Sequence, residues 1–97
     1  MELTPADVLD RAADLIEEKG WCQHRYKGYF GAYCALGAIN EINYGNPSGV
    51  VGTKAEAEVL LEGKLGLDVA RWNDAWEQTA EAVIDTLRDV ARGLRDE

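Results

Sequence analysis

Ninety-seven residues, 46% hydrophobic and 29% charged, suffice for one globular domain over 1–97 and exclude a disordered chain away from the ends. Ten basic against eighteen acidic residues leave a net charge of −8, which repels phosphate backbones and anionic lipid, so neither nucleic acid nor a membrane is an expected partner. No apolar run approaches the roughly 18 residues of a transmembrane helix, and the first residues lack the basic and apolar regions of a signal peptide. The expected location is the cytoplasm, where Cys22 and Cys34 are expected as free thiols. The acidity lies at the ends: residues 1–20 and 67–97 carry −4 each, and 21–66 are neutral. Solubility explains such ends. An acidic decoy that occupies a nucleic-acid-binding protein is the sharper, weaker reading.

In chain order, Thr4-Pro5-Ala6-Asp7 is a helix start, with Thr4 as cap, Pro5 in the first turn and Asp7 at the positive end of the dipole. Val8, Leu9, Ala12, Leu15 and Ile16 recur at helical spacing and Gly20 follows Lys19, which predicts a first helix over 5–19. Residues 21–33 then turn aromatic, with Trp21, Tyr26, Tyr29, Phe30 and Tyr33 around Gly28. That stretch reads as a short β-hairpin. A three-residue loop Lys27-Gly28-Tyr29 would set Cys22 opposite Cys34, within disulfide reach. A two-residue loop would set Cys22 opposite Tyr33 instead.

Residues 34–44 carry the stripe Cys34, Ala35, Ala38, Ile39 and Ile42, a second helix whose small residues allow close packing. Gly45-Asn46-Pro47-Ser48-Gly49 breaks it. Thr53-Lys54-Ala55-Glu56 has the form of a capping box that opens a third helix, with Ala55, Val59, Leu60 and Leu61 inward and an end near Gly63 to Gly66. Leu67 to Trp72 is a short helical turn and Asn73-Asp74 a connector, with Asp74 bracketing the turn before the last helix. That helix spans 79–94 on the stripe Ala80, Val83, Ile84, Leu87, Ala91 and Leu94, with the pairs Asp85–Arg88 and Asp89–Arg92 on its wet face. The fold class is therefore mainly α: four to five short helices around one core, with a small β-hairpin between helices 1 and 2.

Three blocks occur together: Gly20-Trp21-Cys22-Gln23, Cys34-Ala35-Leu36-Gly37-Ala38, and Trp72-Asn73-Asp74 with Thr79-Ala80-Glu81. The combination resembles a family of small uncharacterised domains from actinobacteria and their bacteriophages, and it covers nearly the whole chain. The chain departs from that pattern at Ala75-Trp76-Glu77-Gln78, where a Pro-Gly turn is expected. The resemblance implies a bacterial host cell and a helical fold, and brings no activity with it.

Chemistry-bearing groups are few. Cys34 opens helix 2, where a helix N-terminus favours a thiolate, and His24 is the single histidine that could act as its base. These two are the candidate residues of a small cysteine-dependent enzyme. The plainer reading buries Cys34 unreactive beneath Leu15, Ile39 or the last helix. Cys22, His24 and Cys34 lack a fourth ligand for a structural zinc, so no metal and no cofactor are expected. Thr53-Lys54 reverses the order of a phosphate-binding loop, which leaves residues 45–54 a plain loop. Trp21 and Trp72 close the ends of the core, whereas Trp76 stands in a polar stretch. With Tyr26, Tyr29 and Phe30 beside Arg25 and Lys27, it belongs to the residue types enriched at interfaces. The expected function is that of a non-enzymatic interaction protein, of phage or actinobacterial origin, that binds a host or other partner protein through Trp76, Tyr29, Phe30 and Tyr26. A homodimer is the competing use of the same surface.

Overall fold

A computed structural model describes residues 2–97. Five α-helices follow in order: α1 Pro5–Lys19, α2 Ala35–Tyr44, α3 Glu56–Leu65, α4 Val69–Asn73 and α5 Ala80–Arg95, with a single 3-10 turn at Tyr29–Gly31. The two longest begin as their sequences dictate. Thr4 and Asp7 form a reciprocal capping box, each side chain accepting the other's backbone N–H at 3.1 Å, which satisfies two orphan donors of α1. Thr79 Oγ1 accepts the Ala82 N–H at 3.1 Å and opens α5. Gly45 and Gly66 close α2 and α3 in the left-handed conformation that glycine adopts at least cost.

Helix α1 packs mainly on α5 and α2. Leu9, Ala12 and Ile16 meet Ala38, Ile39, Leu87 and Ala91 in one core that also takes Leu61 and Val69. The stripes read from the sequence are the buried faces of α1, α2 and α5, with Leu15, Ile42, Ile84, Val90 and Leu94 half-buried at the margins. Asp89–Arg92 pairs at 3.2 Å along α5. Arg88 leaves Asp85 and crosses to Asp14 at 2.9 Å and Glu17 at 3.5 Å on α1. Arg95 likewise reaches Asp7 at 2.9 Å, and Asp10.

Two expectations need correction. The first concerns α3, which has no side-chain cap: Ala55, not Thr53, stands at its start. Thr53 and Lys54 precede the helix, and Lys54 reaches forward instead to Glu62 at 2.9 Å. The inward face of α3 is Ala57, Glu58 and Leu61, while Val59 is 51% exposed. The second concerns the β-hairpin, which does not form. Among the described residues there are only isolated bridges, Trp21 with Tyr33 in parallel sense and Lys27 with Tyr33 in antiparallel sense. One residue, Tyr33, thus serves both arms of a wound loop. Two left-handed residues, His24 (φ 68°) and Phe30 (φ 63°), interrupt the extended backbone that a hairpin needs. The Cys22 carbonyl, which a ladder would use, accepts instead from the Asn73 side chain. The three-residue tip at Lys27–Tyr29 and the disulfide it would have permitted fall with the hairpin: Cys22 and Cys34 are both free.

Candidate functional site

At the centre of the bonds that hold the wound loop is Asn73, fully buried at the end of α4. Its Oδ1 accepts the Trp21 indole N–H at 2.7 Å and the Ala35 backbone N–H at 2.9 Å. Its Nδ2 donates to the Cys22 carbonyl at 3.1 Å and to Asp74 Oδ1 at 3.0 Å. An amide can donate twice and accept twice, and Asn73 does all four. Gln23 adds a clasp on the other side, donating from Nε2 to the carbonyls of Asn73 at 3.1 Å and Ala75 at 2.9 Å. Asp74 Oδ1 accepts the His24 backbone N–H at 2.9 Å and so holds His24 in its left-handed conformation. On the α2 side, a Cβ at Gly37 would lie 1.9 Å from the Tyr26 carbonyl oxygen. Only glycine lets the loop rest on the helix there. The blocks 20–23, 34–38 and 72–74 therefore converge on one junction.

Asp74 closes α4 at the head of the turn before the last helix, which Thr79 caps, and its side chain belongs to this junction. Asn73, Asp74 and Gln23 carry the site's geometry, and no catalytic motif points to them. Their signal is their place in the outer two blocks, far apart in sequence and rich in amide and carboxylate groups.

A recess of about 260 Å³ sits beside the junction, lined by His24, Arg25, Tyr26, Cys34, Leu36 and Asp74 among others. The structure thus brings Cys34 and His24 to one recess. It also supplies what the sequence lacked, a group beside the imidazole: Asp74 Oδ2 lies 3.7 Å from His24 Nδ1. Cys34 is the N-cap of α2, and its Sγ accepts the Gly37 N–H at 3.2 Å. Burial nevertheless dominates and pushes its pKa up to about 11, overriding that hydrogen bond. Burial raises Cys22 as well, and its thiol donates to the Arg25 carbonyl at 3.5 Å. At neutral pH both are thiols, the unreactive form.

Of the exposed aromatic groups, Tyr26 lines the recess. Tyr26 is 44% exposed, Tyr29 75%, Trp76 91% and Phe30 fully exposed. Trp21 and Trp72 pack against the core, and Trp76 stands clear of it. The Ala75–Gln78 turn that carries it is closed by the Gln78 N–H on the Ala75 carbonyl at 3.0 Å and by the Gln78 side chain on the Trp72 carbonyl at 3.0 Å. The Arg25 guanidinium lies 5.0 Å from the Tyr29 ring centre and the Lys27 ammonium 5.2 Å from that of Tyr33, both within cation–π range. No described helix is long and apolar enough to cross a membrane. No group of three or more metal-ligating side chains occurs among the described residues.

The chain belongs to DUF6197, a family of unknown function, whose model matches residues 1–93. No curated protein and no solved structure matches it.

Proposed function

We propose that this DUF6197 member is a non-enzymatic interaction protein, of the actinobacterial or phage kind its blocks resemble, that binds a host or other partner protein through Trp76, Tyr29, Phe30 and Tyr26. The observation that carries the reading is the exposure of these four rings on two loops that the Asn73 junction fastens together. Burying a large apolar side chain is worth roughly 1.5–3 kcal/mol, and this fold forgoes that gain at Phe30 and Trp76. Phe30 also sits in a left-handed backbone conformation that costs a non-glycine residue about 1 kcal/mol or more. Aromatic groups held in water are suited to a contact surface, because each offers a large apolar area on only two rotatable side-chain bonds.

Trp76→Ala, Tyr29→Ala and Phe30→Ala test this, with affinity capture from an actinobacterial lysate and solution mass as readouts. Each variant is expected to remain folded, and at least one to lose the captured partner or, if the surface is self-associating, the dimer mass. Folded variants that retain both would refute the aromatic surface.

The cysteine-dependent enzyme remains the second reading, favoured by one observation, the Asp74 carboxylate beside His24 in the recess that Cys34 lines. Against it stands the protonated Cys34 thiol. The acidic-decoy reading is weakened by the pairing of Asp7, Asp10, Asp14 and Glu17 with Arg88 and Arg95, which leaves that face fewer free carboxylates to imitate a phosphate row.

A further inference from the structure

Tyr26 and Leu36 separate the recess at His24 from a second, larger opening. This groove of about 480 Å³ runs between those two side chains, the loop 48–53, and Lys54 and Glu58 of the α3 entry. Its loop wall needs glycine at one point: Gly49 has φ +72°, and a Cβ there would lie 2.9 Å from Asn40 Nδ2. Two acceptors line the groove. Asn40 is 5% exposed, and its Nδ2 donates to the Pro47 carbonyl at 3.1 Å. That bond fixes the amide so that Oδ1 is the free end, and no described group donates to it. Glu58 is 7% exposed. Its nearest cation, Lys54 Nζ, is 3.8 Å away, too far for a hydrogen bond, and donates instead to Glu62 at 2.9 Å.

No described side-chain N or O sealed from solvent lacks a hydrogen-bond partner. Both acceptors therefore still reach solvent, and both residues line the groove. The charge around them is unbalanced in the same sense: Lys54 is the cation facing Glu58, Glu62 and Asp68. Tyr26, Leu36, Val50 and Val51 give the lining an apolar share beside the polar Ser48, Thr53 and Lys54, with Val50 half exposed and Val51 fully exposed. A ligand that fits must bring hydrogen-bond donors, positive charge and an aliphatic stem, which together describe the side chain of arginine or lysine.

We propose that this groove receives a basic side chain of a partner protein, its stem along Val50, Tyr26 and Leu36 and its head against Glu58 and Asn40 Oδ1. The proposal rests on the contact-protein reading and names the chemistry of the partner: a basic segment next to apolar residues, drawn to a chain of net charge −8.

The test uses the whole, ¹⁵N-labelled chain and two probes, the capped tripeptides acetyl-Leu-Arg-Leu-amide and acetyl-Leu-norleucine-Leu-amide. The arginine peptide is expected to shift the amide resonances of residues 48–54 and Glu58 saturably, and the norleucine peptide to bind at least fivefold more weakly. Glu58→Gln should weaken the arginine peptide at least fivefold. Lys54→Met, which removes the competing ammonium, should tighten it. Equal affinity for the two peptides, undiminished binding by folded Glu58→Gln, weaker binding by Lys54→Met, or shifts only outside the groove would each overturn the proposal. So would groove resonances that move with protein concentration alone, since a second copy would then be the occupant. The Trp76 and Phe30 variants separate this from the aromatic surface. If they keep their partner while the arginine peptide still fills the groove, the aromatic reading fails and the groove stands.

Discussion

Asn73 is the residue on which the loop structure depends. Replacing it with alanine leaves the Trp21 indole and the Ala35 N–H without their acceptor, and the Cys22 carbonyl without its donor. Each unsatisfied buried group costs about 1–3 kcal/mol, so Asn73→Ala should lower the unfolding free energy by about 3 kcal/mol or more in a urea titration. A loss under 1 kcal/mol would show that water replaces the amide at little cost. Cys34 gives a pH signature of opposite character. Burial lifts its folded pKa to about 11, above the value near 9 of an exposed thiol. Between those values the folded state holds a proton that the unfolded chain releases. Stability from this group is therefore unchanged below about pH 9 and falls as pH rises from 9 to 11, by roughly 2–3 kcal/mol at most. Cys34→Ala should cost about 1 kcal/mol at pH 7 and flatten that alkaline slope. Iodoacetamide should label Cys34 slowly at pH 7; rapid labelling of the folded protein would revive the nucleophile reading.

Among the elements, α1, α2 and α5 were legible because everything that defines them is local. Thr4, Pro5 and Gly20 bracket α1; Val83, Leu87 and Ala91 repeat on one face of α5 and are all buried. The core between them carries the main prediction at this scale. Leu87 is fully buried where α5 meets α1, and Leu87→Ala should destabilise by about 2–5 kcal/mol in thermal or urea unfolding. A cost under 1 kcal/mol would mean that the seam is not the core it looks to be. What was illegible was decided at a distance. The aromatic stretch 21–33 has strand composition, yet the Trp21 indole, the Cys22 carbonyl and the His24 N–H bond to Asn73 and Asp74, about fifty residues later in the chain, and no local pattern announces that. In α3 the Thr53–Glu56 spacing imitates a cap, but Lys54 is drawn to Glu62. The buried face then falls on Glu58 rather than Val59, an exchange that hydropathy alone would reject. The candidate site followed the same rule. The exposed aromatic residues were recognisable because nothing local explained them, whereas Asn73, Gln23 and Asp74 act only through partners that the fold brings together.

For the whole molecule, charge sets two opposed effects. Arg88 and Arg95 tie α5 to the acidic face of α1. Arg95, first of all, and the Thr4 backbone amide hold the Asp7 carboxyl below its usual range. Salt weakens such exposed pairs, which contribute little individually. Against them stands the mutual repulsion of a −8 chain folded to a radius of gyration of 11.9 Å. Its charges lie within about one to a few Debye lengths of each other at 0.1 M salt, near 10 Å. The pairs are short, and short contacts are the least screened. The repulsion acts over longer distances, which salt screens most. Added salt should therefore remove more repulsion than attraction, and the melting temperature should rise by a few degrees between about 20 and 200 mM sodium chloride. Differential scanning calorimetry at pH 7 measures this. A fall over that range would mean that the Arg88 and Arg95 bridges outweigh the net charge. Arg95→Met distinguishes the two cases, because it removes the bridge to Asp7 and Asp10 and adds one unit of negative charge. Its melting temperature should lie below that of the parent at low salt and close part of the gap at high salt. A gap that stays constant with salt would show that packing of the arginine stem, and not its charge, holds the two helix ends together.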